Sequence, residues 1–435
     1  MTKRNLPEVE VTLEKIVGGG QALGTLPEGR KVFVWGGLPN EKVTVQLTKK
    51  KSGYGEGFVT EVIEASPQRI APKDPESFLS TSPWQIMELA TENHYKAALI
   101  EEAFELHNIV LPNPIEVYSD GREYEYRNKE EFSWYGQGSE ETGGEKLDLA
   151  FFRRGSKGKV VVTDSALLPR SIVTLGLAIR DYLQNCGVSA RELKTLLIRS
   201  DAKGNCVWQL YVKSIDGVFI PESEALAFPA QGGEVIFSDP RSPASVITRR
   251  LASYGDIVLT DEVLGVPFRY ATEGFFQVNI PVYEQALNDM REYIPAGKGV
   301  VDLYSGVGSI GLTIGGDDVT LVELNEHAVR EMQRNIKALG KKATAVLSSS
   351  EQALEYITGD KTIVVDPPRA GLHEDVVYRL LDEKPARIVY LSCNPVTQAR
   401  DIERLGEVYG IKAHKGYNFF PHTPHIENLV ILDLK

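Results

Sequence analysis

The sequence predicts a three-part α/β protein: a small OB-like β-barrel over residues 1–66, an α+β segment over 67–264, and a C-terminal α/β unit over 265–435 on a mostly parallel sheet with an antiparallel edge. Three observations support it. Apolar and polar side chains alternate in short runs separated by glycines at the start, helical spacing is interleaved with alternating strands in the middle, and strands poor in polar residues alternate with helices at the end. The last pattern is that of a parallel sheet covered on both faces.

In the first 66 residues the runs Val9–Leu13, Lys31–Trp35, Glu41–Leu47 and Phe58–Ile63 have the two-residue period of strands, with turns at Gly18-Gly19-Gly20 and Gly36-Gly37. A five-stranded barrel closed off by Ala65-Ser66-Pro67 is expected. From Thr91 to Asn108, Tyr95, Leu99, Ala103 and Leu106 recur at helical spacing; this helix is a candidate to pack on the C-terminal unit. Strands follow over 126–132, 147–153, 159–163, 195–200 and 206–213, with a helix over 171–186 that stops at Gly187. After Leu264 the order is strand Gly299–Tyr304, loop Ser305–Ser309, strand Val319–Leu324, and a helix with Ala328, Met332, Ile336 and Leu339 on one face. Strands over 362–366 and 387–391 and a closing pair near 414–419 and 428–432 complete the unit.

A chain of 435 residues with 42% apolar and 25% charged side chains buries a large core and is neither disordered nor fibrous. No apolar run reaches the ~18 residues of a membrane span, and Met1–Pro7 leads into no signal-type stretch, so a cytoplasmic, monomeric protein with no membrane association is expected. Cys186, Cys206 and Cys393 are odd in number and far apart, which argues against a disulfide framework or a tetrahedral metal site. The net charge of −12 weighs against a phosphate-rich partner. Residues 1–66, however, carry nine basic and eight acidic side chains, leaving −13 for the remainder. Their cluster Lys49-Lys50-Lys51 beside Tyr54 reads as a solvated loop.

Asp302, Gly306 and Gly308 form a strand-loop-helix turn where glycines let the backbone approach a ligand, and Glu323 ends the next strand, where a carboxylate accepts from both hydroxyls of a ribose. Gly311 completes G-x-G-x-x-G, so a nicotinamide dinucleotide, a flavin and S-adenosylmethionine all fit the loop. Asp366-Pro367-Pro368 at the fourth strand end recurs in methyltransferases and favours S-adenosylmethionine. Cys393, in Tyr390-Leu391-Ser392-Cys393-Asn394-Pro395, follows Asp366 by 27 residues and precedes Glu427 by 34. A thiol at a strand's carboxyl end is placed to react rather than to fill a core, and Glu427, at the start of the last strand, is the carboxylate in reach for proton transfer. His422 and His425 read as hydrogen-bonding partners, and Cys186 and Cys206 as packing residues.

Gly274-Phe275-Phe276-Gln277-Val278-Asn279, Asp302–Gly308, Asp366–Arg369, Ser392–Pro395 and Pro421–Glu427 resemble, in order, motifs of the RNA uridine carbon-5 methyltransferases. Tyr126–Lys129 and Phe152–Ser156 resemble the same family, and residues 5–65 its RNA-binding TRAM domain. The resemblance implies a class I, Rossmann-like fold and a partner that is transfer or ribosomal RNA. It also implies S-adenosylmethionine held by Gln277, Tyr304, Glu323 and Asp366, Cys393 as nucleophile and Glu427 as base. Ser305 stands where the family often has a cysteine without essential chemistry. Phe78–Met87 and Thr163–Ala166 lack the four cysteines that hold an iron-sulfur cluster in many relatives, so no cluster is expected. The acidic residue common after the third strand is not evident in Leu347–Glu351. A target uridine must leave its stack to meet a thiol; Phe275, Phe276, Phe419 and Phe420 are candidate stacking partners, though paired phenylalanines are more often core. Two other functions remain open: methylation of an exocyclic amine, with Arg369 in the place of that chemistry's aromatic residue, and an RNA-binding or RNA-folding protein with a vestigial methyltransferase fold.

Overall fold

Alternation in the N-terminal segment closes into a barrel of Glu8–Ile16, Ala22–Thr25, Lys31–Trp35, Lys42–Lys50 and Tyr54–Glu64, the last two strands exchanged in spatial order. This is a computed structural model, and it describes residues 6–138, 145–154 and 158–435. Met1–Asn5 and Gly155-Ser156, used above, lie outside these. Val11, Leu13, Val32, Val34, Val43, Val45 and Leu47 fill the barrel. Ala22–Thr25 has no apolar run to announce it. A side chain at Gly24 would meet Val11 at 2.4 Å, so a glycine is what brings this short strand against its neighbour. Within the basic cluster Lys49 pairs with Glu56 at 2.6 Å and Lys50 with Glu28 at 3.1 Å, and Lys51 lies 5.3 Å from the Tyr54 ring.

Two compact units make up the chain. The first comprises Met1–Glu92, Arg122–Leu259 and Pro421–Pro424; the second comprises Asn93–Gly121, Thr260–Phe420 and His425–Lys435. In the first, the barrel is joined to a seven-stranded sheet in the order 249–255, 232–237, 206–212, 193–200, 129–138, 145–152, 159–161. Helix Arg170–Asn185 covers it with Ile172, Val173, Leu175, Ile179 and Leu183. Strands Gly232–Phe237 and Arg249–Gly255 were not expected from the sequence. The first is buried nearly throughout and so lacks alternation, and the second follows a loop rich in serine and proline. The Arg154 guanidinium stacks 4.2 Å from the Trp35 ring and donates to Leu79 O, tying sheet to barrel. Pro421–Pro424 joins this unit through bonds from Tyr126 Oη to Pro421 O (2.8 Å) and from Trp84 N to His422 O (3.1 Å).

The second unit is an eight-stranded sheet in the order 343–347, 319–323, 300–303, 362–365, 387–392, 427–434, 409–417, 117–118. The first five strands are parallel, Glu427–Leu434 is antiparallel to both its neighbours, and Val117–Tyr118 adds a short parallel strand outside the closing pair. Central strands with every residue buried, such as Val300–Leu303 and Thr362–Val365, match a sheet covered on both faces. Helix Glu326–Leu339 is capped by the Asn325 side chain and ends at Gly340 with φ 61°. Among the described residues no helix is long and apolar enough to cross a membrane. Ahead of the sheet lies a hairpin, 258–263 with 266–271, whose turn Leu264-Gly265 has φ of 52° and 75°, as a primed turn requires.

One buried ion pair joins the barrel to the chain that leaves it. Glu41 is fully buried, accepts from Leu38 N and Ser66 N, and is gripped by Arg69 Nε and Nη2 at 2.5 and 2.7 Å. Arg69→Ala leaves a carboxylate buried without its cation, which costs about 3–5 kcal/mol. Thermal unfolding is expected to show a large drop for Arg69→Ala, and a variant that melts with the wild type would contradict this.

Candidate active site

Parallel strands all end on one edge, so the residue after each strand shares a rim with its neighbours. Leu303 pairs with Val365 and Val322, and Val365 pairs with Tyr390. The register sets Glu323, Tyr304 and Asp366 side by side, with Cys393 just beyond. Glu427–Leu434 runs the opposite way and brings its first residue, not its last, to this rim. Ser392 pairs with Asn428, so Cys393 and Glu427, one step further out, lie at the same end of this ladder. Directly opposed residues of an antiparallel pair present their side chains on the same face. Gln398 locks this end of the ladder by donating from Nε2 to Tyr390 O and Asn428 O and accepting from Asn428 Nδ2.

A cavity of about 750 Å³ is lined by Tyr304, Glu323, Ser350, Glu351, Pro368 and His373, with Asp366, Gln277, Cys393 and Glu427 outside its lining; its size is within the range of about 300–1,000 Å³ usual for small-molecule sites. The glycine turn holds one of its lining carboxylates. Gly306 N donates to Glu323 Oε2 (2.9 Å) and Asn325 N to Glu323 Oε1 (2.7 Å), so the carboxylate is fixed at the mouth with lone pairs to spare. Gly308 has φ 86°, and the Tyr304 backbone is in the same left-handed region at φ 63°. Burial pushes the Tyr304 hydroxyl above its ordinary range, with Ser350 and the His373 backbone opposing. Asp302 is buried with Oδ2 accepting from Gly311 N while Oδ1 has no partner, and the buried Asn279 amide lacks one on either atom. Orphaned polar atoms beside a glycine cradle and a ribose-ready carboxylate fit S-adenosylmethionine.

The electrostatics are acidic. Burial pushes Asp302 up to about 8 and Asp366 up to about 7. Burial, then the Glu427 and Asp366 carboxyls, push the Cys393 thiol up to about 11, with Arg369 opposing. Glu427 is held well above the usual carboxylate range by burial and Asp366, against the pull of Arg369 and Lys96. Lys96 is itself fully buried and donates to Asn418 Oδ1 (2.6 Å) and Phe420 O (3.1 Å).

The fold brings Tyr304, Glu323, Asp366, Cys393 and Glu427 to one rim. Gln277 is buried on the segment leading into helix Ile280–Arg291. Of the four phenylalanines, Phe276 and Phe419 are core, Phe276 stacking 4.3 Å from Tyr270, whereas Phe275 is 72% exposed and Phe420 half-buried. His422 belongs to the first unit, buried between Glu123 (3.2 Å) and the stacked Tyr124 ring. His425 lies in the second unit against Arg369. Sequence reasoning gave no role to Lys96 and treated Arg369 only as a replaced aromatic. The one available signal was a lone cation next to a Pro-Pro strand end in an acidic chain. Among the described residues, no group of three or more His, Cys, Asp or Glu is placed to hold a metal ion.

A family model described as tRNA (Uracil-5-)-methyltransferase matches residues 340–435, and one described as TRAM domain matches residues 7–60. A Clostridium tetani protein named as an uncharacterized RNA methyltransferase is 29% identical over 100% of this chain and 99% of its own. One of the same description from Nitratidesulfovibrio vulgaris is 27% identical over 98% and 96%. The crystal structure of the Pyrococcus abyssi tRNA (uracil-54, C5)-methyltransferase, in complex with S-adenosyl-L-homocysteine, superposes with a TM-score of 0.78 at 21% identity, covering 97% of this chain and all of that one. That superposition supports the fold.

Gly311 sets how closely the turn helix approaches the sheet. A Cβ there would meet Leu321 at 2.4 Å and Asp302 Oδ2 at 3.0 Å. Gly311→Ala is therefore expected to cost about 1–3 kcal/mol through overpacking and to weaken S-adenosylmethionine binding in calorimetry. Unchanged stability and unchanged affinity would show that the turn is not under this constraint.

Proposed function

We propose that this chain, which belongs by sequence and fold with the RNA uracil-5-methyltransferases, forms 5-methyluridine in transfer or ribosomal RNA through a covalent bond between Cys393 Sγ and carbon 6 of the target uracil. The observation that supports it is the strand register that pairs Ser392 with Asn428 and so brings the next residues, Cys393 and Glu427, to the same end of the ladder. A reaction at an exocyclic amine needs no thiol there. Bound S-adenosylmethionine supplies an electrophilic methyl group and a positive sulfonium charge. In this reading Glu323 would accept from the ribose hydroxyls, and Tyr304, Asp366 and Gln277 would hold the remainder of the donor.

Carbon 5 of uracil is a weak nucleophile. The Cys393 thiolate adds to carbon 6, forming the S–C6 bond while the C5=C6 electron pair moves into an enolate, and carbon 5 becomes nucleophilic enough to take the methyl group. The Glu427 carboxylate then takes the proton left on carbon 5. The electron pair released re-forms C5=C6 and expels the thiolate, so sulfur ends as it began. The base must lie outside its helix or loop stack to reach the thiol, and Phe275 and Phe420 are the exposed and half-buried rings on which it or its neighbours stack. The TRAM-type barrel supports an RNA substrate.

Cys393→Ala is expected to abolish methyl transfer while leaving RNA affinity within about twofold in a filter-binding assay. Glu427→Gln should trap the methylated adduct, seen as an RNA–protein band that survives a denaturing gel. Methylation by Cys393→Ala at wild-type rate would exclude the covalent route. Because burial and neighbouring carboxyls raise both Cys393 and Glu427, their reactive deprotonated forms are depleted at low pH and gained as pH rises. Single-turnover methylation measured in a quench-flow series should therefore climb with pH through the neutral range, and a flat or falling profile would contradict the assignment.

A further inference from the structure

His425 stands two residues before Glu427, exposed, with Nδ1 3.0 Å from Arg369 Nη2. A guanidinium carries donors and no acceptor, so the imidazole nitrogen accepts this bond. In this bond the imidazole brings no negative charge to the guanidinium. Its ring meets the Phe420 ring edge-on, 5.6 Å between centroids, which limits how it turns. The Arg369 backbone is fixed independently. Its carbonyl accepts from Asn394 Nδ2 (2.8 Å) and Thr397 Oγ1 (3.1 Å), on the residues that follow Cys393. What these bonds leave undetermined is where the long side chain points.

We propose that His425 is a positioning residue: by accepting from Arg369 it aims the guanidinium at the Cys393–Glu427 pair without neutralising its charge. The inference rests on the assignment of Cys393 as the reacting thiol. The choice of acceptor has a physical reason. A carboxylate at 425 would hold Arg369 as firmly but cancel its field, and a residue without an acceptor would leave the exposed side chain free to turn to water. A neutral acceptor alone gives both fixation and charge. The groups acting on Cys393 are Glu427 from the last strand, and Asp366 and Arg369 from the strand end and loop beyond Val365. Arg369 is the cation among them, and it opposes the upward shift of both Cys393 and Glu427.

The test reads the thiol directly. Iodoacetamide alkylation of Cys393, followed by peptide mass spectrometry so that exposed Cys186 does not interfere, is measured against pH in the full-length protein without RNA or methyl donor. Arg369→Gln should move the midpoint upward by about one unit, the smaller end of the effect of a nearby opposite charge. His425→Phe and His425→Asp should both move it in the same direction. His425→Asn, whose side-chain oxygen falls near the position of Nδ1, should restore the wild-type profile. A His425→Phe profile that overlays the wild type, an Asn variant no better than Phe, or an unmoved Arg369→Gln profile would each overturn the proposal. Equal melting temperatures exclude a folding defect as the cause of any shift. Since neither RNA nor donor is present, the outcome is independent of the proposed reaction. Should Cys393→Ala still methylate RNA, the covalent route fails while the arginine anchor stands or falls on its own profile.

Discussion

The antiparallel pairing of Glu427–Leu434 against Arg387–Ser392 is the constraint from which the rest of the site follows. In a purely parallel sheet every strand contributes its carboxyl end to the rim, so a residue at the start of a strand arrives at the far side of the domain. Reversing one strand puts Glu427, the first residue of its strand, next to Cys393, just past the end of another. Because side chains on a strand alternate in direction, a slip of one residue would turn Glu427 to the opposite face. Gln398, bonded to the backbone of both strands and to the Asn428 amide, holds the register where a slip would matter most.

That placement assembles acids in a nearly dry corner. Burial suppresses the ionisation of Asp302, Asp366 and Glu427, and the Asp366 carboxyl adds to the shift of the other two. The Cys393 thiol is pushed up to about 11 by burial and by the Glu427 and Asp366 carboxyls. Two cations, Arg369 and Lys96, oppose the rise of Glu427, and Arg369 opposes that of Cys393 as well. Lys96 is buried on the early helix with its ammonium fixed by Asn418 and Phe420, and Arg369 stands at the surface with His425.

Much of this was legible in the residues. The glycine turn after Asp302, the Pro-Pro strand end and the isolated Cys393 identify a rim because glycine, proline and a lone thiol each have few structural uses. Four barrel strands were visible as alternating runs, and the fifth, Ala22–Thr25, was not, since four residues including Gly24 carry no period. Strand Gly232–Phe237 escaped because burial on both faces erases alternation, and Val117–Tyr118 because two residues have no pattern. The pairing of Arg369 with His425 and the approach of Lys96 are contacts across 56 residues or more, and only the fold reveals them. Histidines 422 and 425 looked equivalent in the motif, yet they are committed to different compact units.

That division has a consequence for how the molecule is made. Pro421–Pro424 belongs to the unit that begins at the amino terminus, where Tyr126 and Trp84 bind its backbone. The unit is therefore completed by a segment about 160 residues beyond the rest of it in sequence. Closing so long a loop costs entropy before any contact offsets it, so these backbone bonds form late in the folding of the unit.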